Sequence, residues 1–116
     1  MTVQIKNKAG AILHTLDTDT LYGAKLQGLN LPGADFRGRK LPYVNFEGTN
    51  LTGADFEDAN IGNANLKTST ITNANFVRTV YKDADFTNAV LTPGYTIKKK
   101  TPLITRQEVF NGWVEI

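Results

Sequence analysis

Large apolar residues recur at every fifth position from Leu21 to Leu91, and this period dominates the pattern of hydrophobic and polar residues. The residue two before each of them is usually small, and the residue immediately before is usually asparagine or aspartate. A period of five fits neither an α-helix nor an alternating strand. Residues two apart in an extended segment share a face, so we expect the large and the small residue of each unit to point inward.

Each unit therefore predicts a short extended segment followed by a turn. Glycine often stands two residues after the large residue, and Gly, Asn and Asp are the residues that turn a chain at least strain. Repeated turning with a constant inward face closes the chain into a coil. Successive coils then stack through backbone hydrogen bonds at a spacing of about 4.8 Å.

Five units show the pattern in its clearest form, which is Ala-Asp/Asn-Leu/Phe followed by two variable residues: 34–38, 54–58, 64–68, 74–78 and 84–88. This pattern resembles that of the pentapeptide-repeat proteins, and the resemblance covers about residues 21–93. It implies an all-β fold, a right-handed quadrilateral parallel β-helix with one pentapeptide on each side. Fourteen units from Ala24 would make about 3.5 coils.

Four units per coil predict which side chains stack in the core. Phe36, Phe56 and Phe76 belong to one column, and Phe46 and Phe86 belong to the column of another side. Truncation of a buried phenylalanine in such a core is strongly destabilising.

One corner of the predicted coil departs from the pattern. Arg39 stands where a small inward residue belongs, and Pro42 and Tyr43 follow it. A buried, unpaired guanidinium is costly. We therefore expect either a bulge at this corner or a capping role for Arg39 over the open first coil.

The two ends of the chain are expected to cap the solenoid, since its ends expose apolar core and unpaired strand edges. Residues 1–20 read as an N-terminal hairpin cap, with strands at 2–6 and 11–16. Residues 21–93 form the solenoid, and 94–116 a C-terminal capping tail of short strands. In this tail Phe110 and Trp113 either cover the last coil or form a homodimer contact. The three parts are expected to make one domain.

Composition and charge restrict the kinds of partner that we expect the protein to bind. The chain of 116 residues has 41% hydrophobic and 21% charged residues and no cysteine, which is ordinary for a soluble protein without disulfides. We see neither a signal peptide nor an apolar run of membrane-spanning length, and we expect a cytoplasmic protein. Residues 21–91 carry seven basic and seven acidic residues. We do not expect direct nucleic-acid binding from a neutral body.

Catalytic side chains are scarce. The chain has one histidine, His14, and one serine, Ser69. Ser69 falls in a small inward slot, where we interpret it as a filler of the core. A catalytic triad or a metal centre needs convergent partners, and none is suitably spaced. We predict no enzyme activity, no cofactor and no metal.

Two surfaces are candidates for binding a protein. Glu47, Asp55, Glu57 and Asp58 are expected to cluster on two adjacent sides. Another side carries no charge and bears threonines, among them Thr70 and Thr72. Some members of the family that the chain resembles present an acidic surface similar to duplex DNA and bind DNA gyrase and related topoisomerases.

The leading hypothesis is a non-catalytic protein-interaction module that presents a rigid β-helix surface, of the kind found in bacteria and their phages as modulators of a host protein. One alternative is a DNA-mimic binder of gyrase or topoisomerase. Another is a structural spacer that works by self-stacking. The sequence leaves the identity of the partner open.

Overall fold

The computed structural model of the protein describes residues 2–92 and 95–96. Its strands are β1 (Val3–Lys6), β2 (Ile12–Leu16), β3 (Val90–Thr92) and β4 (Tyr95–Thr96). β1 pairs antiparallel with β2, and β3 pairs antiparallel with β4. Over these described residues there is no helix long and apolar enough to cross a membrane. Phe110 and Trp113, the predicted cap or dimer contact, lie outside the described residues.

Between the two strand pairs, the backbone is held by parallel bridges that join residues 20 positions apart. Lys25 is bridged to Asn45, Asn45 to Asn65, and Asn65 to Asp85. The amide of Phe46 donates to the carbonyl of Asn65 at 2.7 Å. Four units of five residues therefore complete one coil, and the fold is an all-β fold of the β-helix type. We name its four sides after their first large residues: Leu21, Leu26, Leu31 and Phe36.

The core is a set of columns of inward side chains, one for each side. In the Phe36 column, Phe56 lies between Phe36 and Phe76 with ring centroids 5.0 Å from each. Phe46 on the opposite Leu26 side meets Phe56 edge to face at 5.9 Å. Phe86, lower on the Leu26 side, meets Phe76 in the same way at 5.8 Å. All five rings are fully buried, so the solenoid has a continuous aromatic seam.

Each corner is a four-residue turn. In the turn that starts at Leu51, the amide of Ala54 donates to the Leu51 carbonyl at 3.0 Å, and Gly53 between them has a φ of 68°. A positive φ at this third position defines a type II turn, which favours glycine or asparagine there. Most early turns have glycine at this position. The non-glycine residues with positive φ are Tyr43, Asp58, Asn63, Thr68, Asn73, Arg78, Asp83 and Asn88.

The Asn or Asp before each large residue has a local structural role. Its side-chain oxygen accepts a hydrogen bond from the backbone amide two residues later. Asn45 accepts from Glu47 at 2.9 Å, and Asn65 accepts from Lys67 at 3.0 Å. This Asx turn leads the chain out of the extended segment into the corner. The recurrence of Asn and Asp in the sequence follows from this bond.

The N-terminal hairpin docks on the Phe36 side of the first coil. The amide of Asp35 donates to the carbonyl of Lys6 at 2.8 Å, and Asn7 forms an antiparallel bridge with Ala34. Ile5 of β1 is buried against the core, and Val3, Leu13 and Leu16 pack beside it. The hairpin thus covers the apolar end of the first coil as well as one of its edges.

The corner after Arg39 shows no bulge, so that expectation was wrong. The ladder continues without interruption, since the amide of Asn60 donates to the Arg39 carbonyl and the amide of Tyr43 to that of Gly62. The other expectation, a capping role for Arg39 over the open first coil, agrees with the structure. Arg39 is half-buried, and its Nη2 donates to the carbonyl of Gln4 in β1 at 3.4 Å. The guanidinium avoids burial by reaching out over the open coil to the hairpin.

Candidate interaction surface

Glu57 and Asp58 form a compact ionic cluster with Arg78. Arg78 Nη2 lies 2.8 Å from Glu57 Oε2, and its Nε lies 2.8 Å from Asp58 Oδ1. Arg78 stands 20 residues after Asp58, so it occupies the same corner one coil further along. The three side chains are substantially exposed to solvent. The negative charge predicted at this corner is therefore largely neutralised on the protein itself.

Asp55 is nearly buried and is held by contacts within the protein. Its side chain is only 6% exposed, and its Oδ2 lies 2.6 Å from Nζ of Lys8 in the turn of the hairpin. Its Oδ1 accepts from the amide of Glu57 at 3.0 Å and from Nδ2 of Asn75 at 3.1 Å. A carboxylate held by three donors below the surface offers little to a partner protein.

Glu47 lies apart from the other three acidic residues, which corrects the expectation of a cluster on two adjacent sides. It follows Phe46 on the Leu26 side, whereas Glu57 follows Phe56 on the Phe36 side. Ten residues are half of a 20-residue coil, so the two carboxylates belong to opposite corners. Glu47 instead accepts a hydrogen bond from Nδ2 of Asn65 at 3.1 Å. This separation follows from the period of the repeat.

Arginine partners lower the pKa values of two exposed carboxyl groups. Arg37 donates from Nε and Nη2 to the two oxygens of Asp35, each at 2.9 Å, and these bonds hold the pKa of Asp35 below its usual range. The hydrogen bonds from Arg78 lower the pKa of Asp58 in the same way. Both groups stay ionised at neutral pH, with their charge compensated by the neighbouring guanidinium.

An open groove of about 610 Å³ runs between the hairpin and the Phe36 side. Its lining mixes both signs of charge, with cations from the hairpin and from Arg37 and Arg39 facing carboxylates of two coils. The charged lining residues are Lys6, Lys8, Asp35, Arg37, Arg39, Glu57 and Asp58. Asp35 is paired with Arg37 within the lining, whereas Lys8 is paired with Asp55, and Glu57 and Asp58 are paired with Arg78, just outside it. The groove therefore presents no excess of one sign that would select a polyanion or a polycation.

The uncharged side of the solenoid satisfies many of its polar groups internally. Asn50 Nδ2 donates to Oδ1 of Asn30 at 2.7 Å, and Oδ1 of Asn50 accepts from the amide and the hydroxyl of Thr52. Thr70, bridged to Asn50 and Val90, continues the same side. The threonine-bearing surface is thus flat and neutral, but part of its hydrogen-bonding capacity is already used within the chain.

Ser69 and His14 lie in separate parts of the fold. Ser69 is fully buried, and its hydroxyl donates to the carbonyl of Leu66 at 2.7 Å. His14 is half-buried in β2, paired with Ile5 of β1. Within residues 2–92 and 95–96 no three His, Cys, Asp or Glu side chains are grouped so as to hold a metal ion.

A pair of exposed tyrosines was not singled out as a candidate site from the sequence. Tyr22 and Tyr43 stand at the corner that follows the Leu21 side, with ring centroids 5.6 Å apart and planes inclined at 39°. Both rings are more than half exposed. The signal available in the sequence was an aromatic residue at two outward corner positions, where neighbouring units have glycine or polar residues.

Comparisons with known proteins identify the class to which this fold belongs. The family model for pentapeptide repeats matches eight copies in two overlapping segments, 20–58 and 33–67. Over residues 20–67 the chain is therefore similar to the pentapeptide-repeat family.

A solved structure from the same family is also similar to the chain. It is the 1.7 Å crystal structure of a pentapeptide repeat protein from the thylakoid lumen of Arabidopsis thaliana, with 29% sequence identity over 63% of this chain and 68% of that one, at a TM-score of 0.27. The search of curated proteins returned no match.

Proposed function

We propose that this protein is a non-catalytic protein-interaction module. In this proposal a right-handed, four-sided solenoid of about 3.5 coils presents a rigid surface to a partner protein, in the cytoplasm of a bacterium or as a phage-encoded modulator of a host protein. The observation that carries the proposal is the uninterrupted backbone ladder from Lys25 to Val90. A surface fixed in this way loses little conformational entropy when it binds.

The distribution of charge favours a protein partner over the DNA-mimic alternative. A surface that imitates duplex DNA needs a dense array of uncompensated negative charge. Here Asp55 is paired with Lys8, and Glu57 and Asp58 are paired with Arg78. Supercoiling by gyrase should therefore be unchanged at a large molar excess of this protein.

Self-stacking is a second candidate function, and one observation favours it. Among the described residues, the backbone amides and carbonyls of Lys25 and Asn30 on the outer edge of the first coil have no backbone partner. Open strand edges are sites where another chain can add. A monomer mass that stays constant with concentration in analytical ultracentrifugation would exclude this function.

The interaction module is tested by affinity capture of the tagged protein with bacterial lysate, followed by titration calorimetry with the captured partner. We expect one partner at a fixed stoichiometry. The double variant E57Q/D58N tests the predicted acidic corner, and E47Q on the opposite corner is its matched control. Asp55 is left unchanged, since its replacement would disturb hairpin docking. Absence of any stoichiometric partner would count against the module.

A further inference from the structure

Two cations lie where the hairpin meets the first coil, and neither is paired with a carboxylate. Lys6 ends β1, and Arg39 follows the Phe36 side. Neither forms a salt bridge with another described residue. The other arginines of the described chain, Arg37 and Arg78, both have carboxylate partners. Arg39 is therefore an exception among them.

The guanidinium of Arg39 makes few hydrogen bonds within the protein. It carries several N–H donors in a planar fork, yet its acceptor is the Gln4 carbonyl at 3.4 Å, which is longer than a usual bond of this kind. The side chain is half-buried, and a partly buried charge without good partners is costly. A ligand that accepts these hydrogen bonds would remove this cost.

Capping of the first coil accounts for the aliphatic stem of Arg39 but not for its charged head. Leu29 occupies the equivalent inward slot ten residues earlier in the same coil, and it packs against the core as an apolar residue. An apolar side chain at position 39 would cover the coil in the same way without an unpaired charge. The charge of Arg39 therefore calls for a separate explanation.

An open cavity of about 520 Å³ lies beside the two cations, separate from the groove on the Phe36 side. Its lining contains two cations and no carboxylate: Thr2, Val3, Gln4, Lys6 and Arg39. Asp17 and Asp19, at the end of the hairpin, do not line it. Asp19 precedes Arg39 by one coil length, but no ion pair joins the two. A cavity with this lining favours a small anion.

We propose that Lys6 and Arg39 bind a phosphate group, carried by inorganic phosphate or by a phosphate monoester. The planar fork of Arg39 fits two phosphate oxygens, and Lys6 supplies a second positive charge. A phosphate monoester carries a charge of about −1.5 to −2 at pH 7, which two cations match better than they match a single carboxylate. This site goes beyond the proposed interaction module and does not depend on it.

The test is a titration of the isotope-labelled protein with sodium phosphate, followed by NMR at an ionic strength held constant with sodium chloride. The signals of the Arg39 Nε–H group and of the Gln4 amide should shift and saturate, with a dissociation constant of about 1 mM or lower. Methyl phosphate is the second probe. Tighter binding of methyl phosphate would identify a monoester as the ligand, and tighter binding of inorganic phosphate would identify the free ion.

Variants of the two cations separate a built site from general attraction of anions. Arg39→Gln should raise the dissociation constant at least about tenfold, since it removes charge-assisted hydrogen bonds. Arg39→Lys keeps the charge but loses the fork, so it should bind with intermediate affinity. Lys6→Gln should weaken binding about threefold. Lys25→Gln removes one charge on the opposite Leu26 side, and this matched control should bind phosphate like the wild type.

The same spectra show whether each variant is folded, and Lys6 is exposed, so its replacement leaves the core intact. Shifts that rise without saturation would overturn the proposal, as would equal dissociation constants for the wild type and Arg39→Gln. A loss in Lys25→Gln as large as that in Lys6→Gln would show only a general effect of net charge. Acetate that binds as tightly as phosphate would refute the phosphate class of ligand.

Discussion

Lys8 Nζ lies 2.6 Å from Oδ2 of Asp55, which joins the turn of the N-terminal hairpin to the second coil of the solenoid. Among the described residues, the hairpin pairs through its backbone with the first coil, at Ala34 and Asp35. The ion pair therefore spans the first coil and fastens the cap to the body one level below. Asp55 is nearly buried, whereas Lys8 is more than half exposed.

Replacement of Lys8 by methionine should lower the free energy of unfolding. Oδ1 of Asp55 would keep its bonds from Glu57 and Asn75, but Oδ2 would lose its bond from Lys8. An acceptor left unsatisfied below the surface costs about 1–3 kcal/mol. Urea unfolding followed by circular dichroism measures the loss. In a double-mutant cycle, Asp55→Asn should remove most of the effect of Lys8→Met. Additive losses would show that the pair does not fasten the cap.

Substitutions at turn residues with positive φ should also change the stability of the protein. Thr68 is β-branched and has a φ of 59°, which is disfavoured for such a residue. Thr68→Asn should stabilise the protein by roughly 0.5–1 kcal/mol, since asparagine tolerates this conformation.

The reverse change at a glycine corner is the control for this prediction. A Cβ on Gly53 would meet no atom within 4 Å, so Gly53→Ala adds backbone strain without a clash. It should destabilise by about 1 kcal/mol. Thermal unfolding of both variants checks the pair of predictions. Equal melting temperatures for both and the wild type would mean that the turns relax at no cost.

Much of the core was predictable because the five-residue period is a property of the backbone as well as of the side chains. The period places Phe36, Phe56 and Phe76 in one column, and the same arithmetic places Arg78 beside Asp58. It also separates Glu47 from Glu57 by half a coil, which the expectation of one acidic cluster overlooked. The repeat determines the positions of the outward side chains as well as those of the core, so this separation follows from the sequence.

The five-residue period does not predict contacts between the repeat and the residues outside it. Lys8 lies in the hairpin, and its distance to Asp55 depends on how that hairpin docks. The bond from Arg39 to Gln4 has the same origin. The sequence offered two alternatives for Arg39 because a long, flexible side chain can leave an inward slot without any change in the backbone. The exposed tyrosine pair has no place in the repeat rule at all.

Phe56 should be among the most sensitive positions in the core. It stacks on Phe36 and Phe76 and meets Phe46 edge to face, so its removal leaves a cavity enclosed by rigid rings. Phe56→Ala should destabilise by about 3–5 kcal/mol. Phe56→Leu should cost less, because more of the volume remains filled. Urea unfolding of the two variants provides the comparison, and an equal loss for both would argue against a tightly packed aromatic seam.

Acid should weaken the bond between Asp58 and Arg78. Hydrogen bonds from Arg78 hold the pKa of Asp58 below its usual range, so the folded state favours the ionised carboxylate. This contribution to stability is present above the pKa of the unfolded chain, about 3.9, and is lost as the pH falls through the lower pKa of the folded state. Because both side chains are exposed, we expect a small effect.

The variant Arg78→Gln isolates this effect. Titration of the carboxyl carbon of Asp58 by NMR should show its pKa returning upward, toward the ordinary value for an aspartate. The stability difference between wild type and Arg78→Gln should be constant near neutral pH and shrink below about pH 4. Asp58→Asn is the matched control and should make stability insensitive to Arg78→Gln over this range, apart from the contribution of Glu57. An unchanged titration of Asp58 in Arg78→Gln would show that the lowered pKa has another cause.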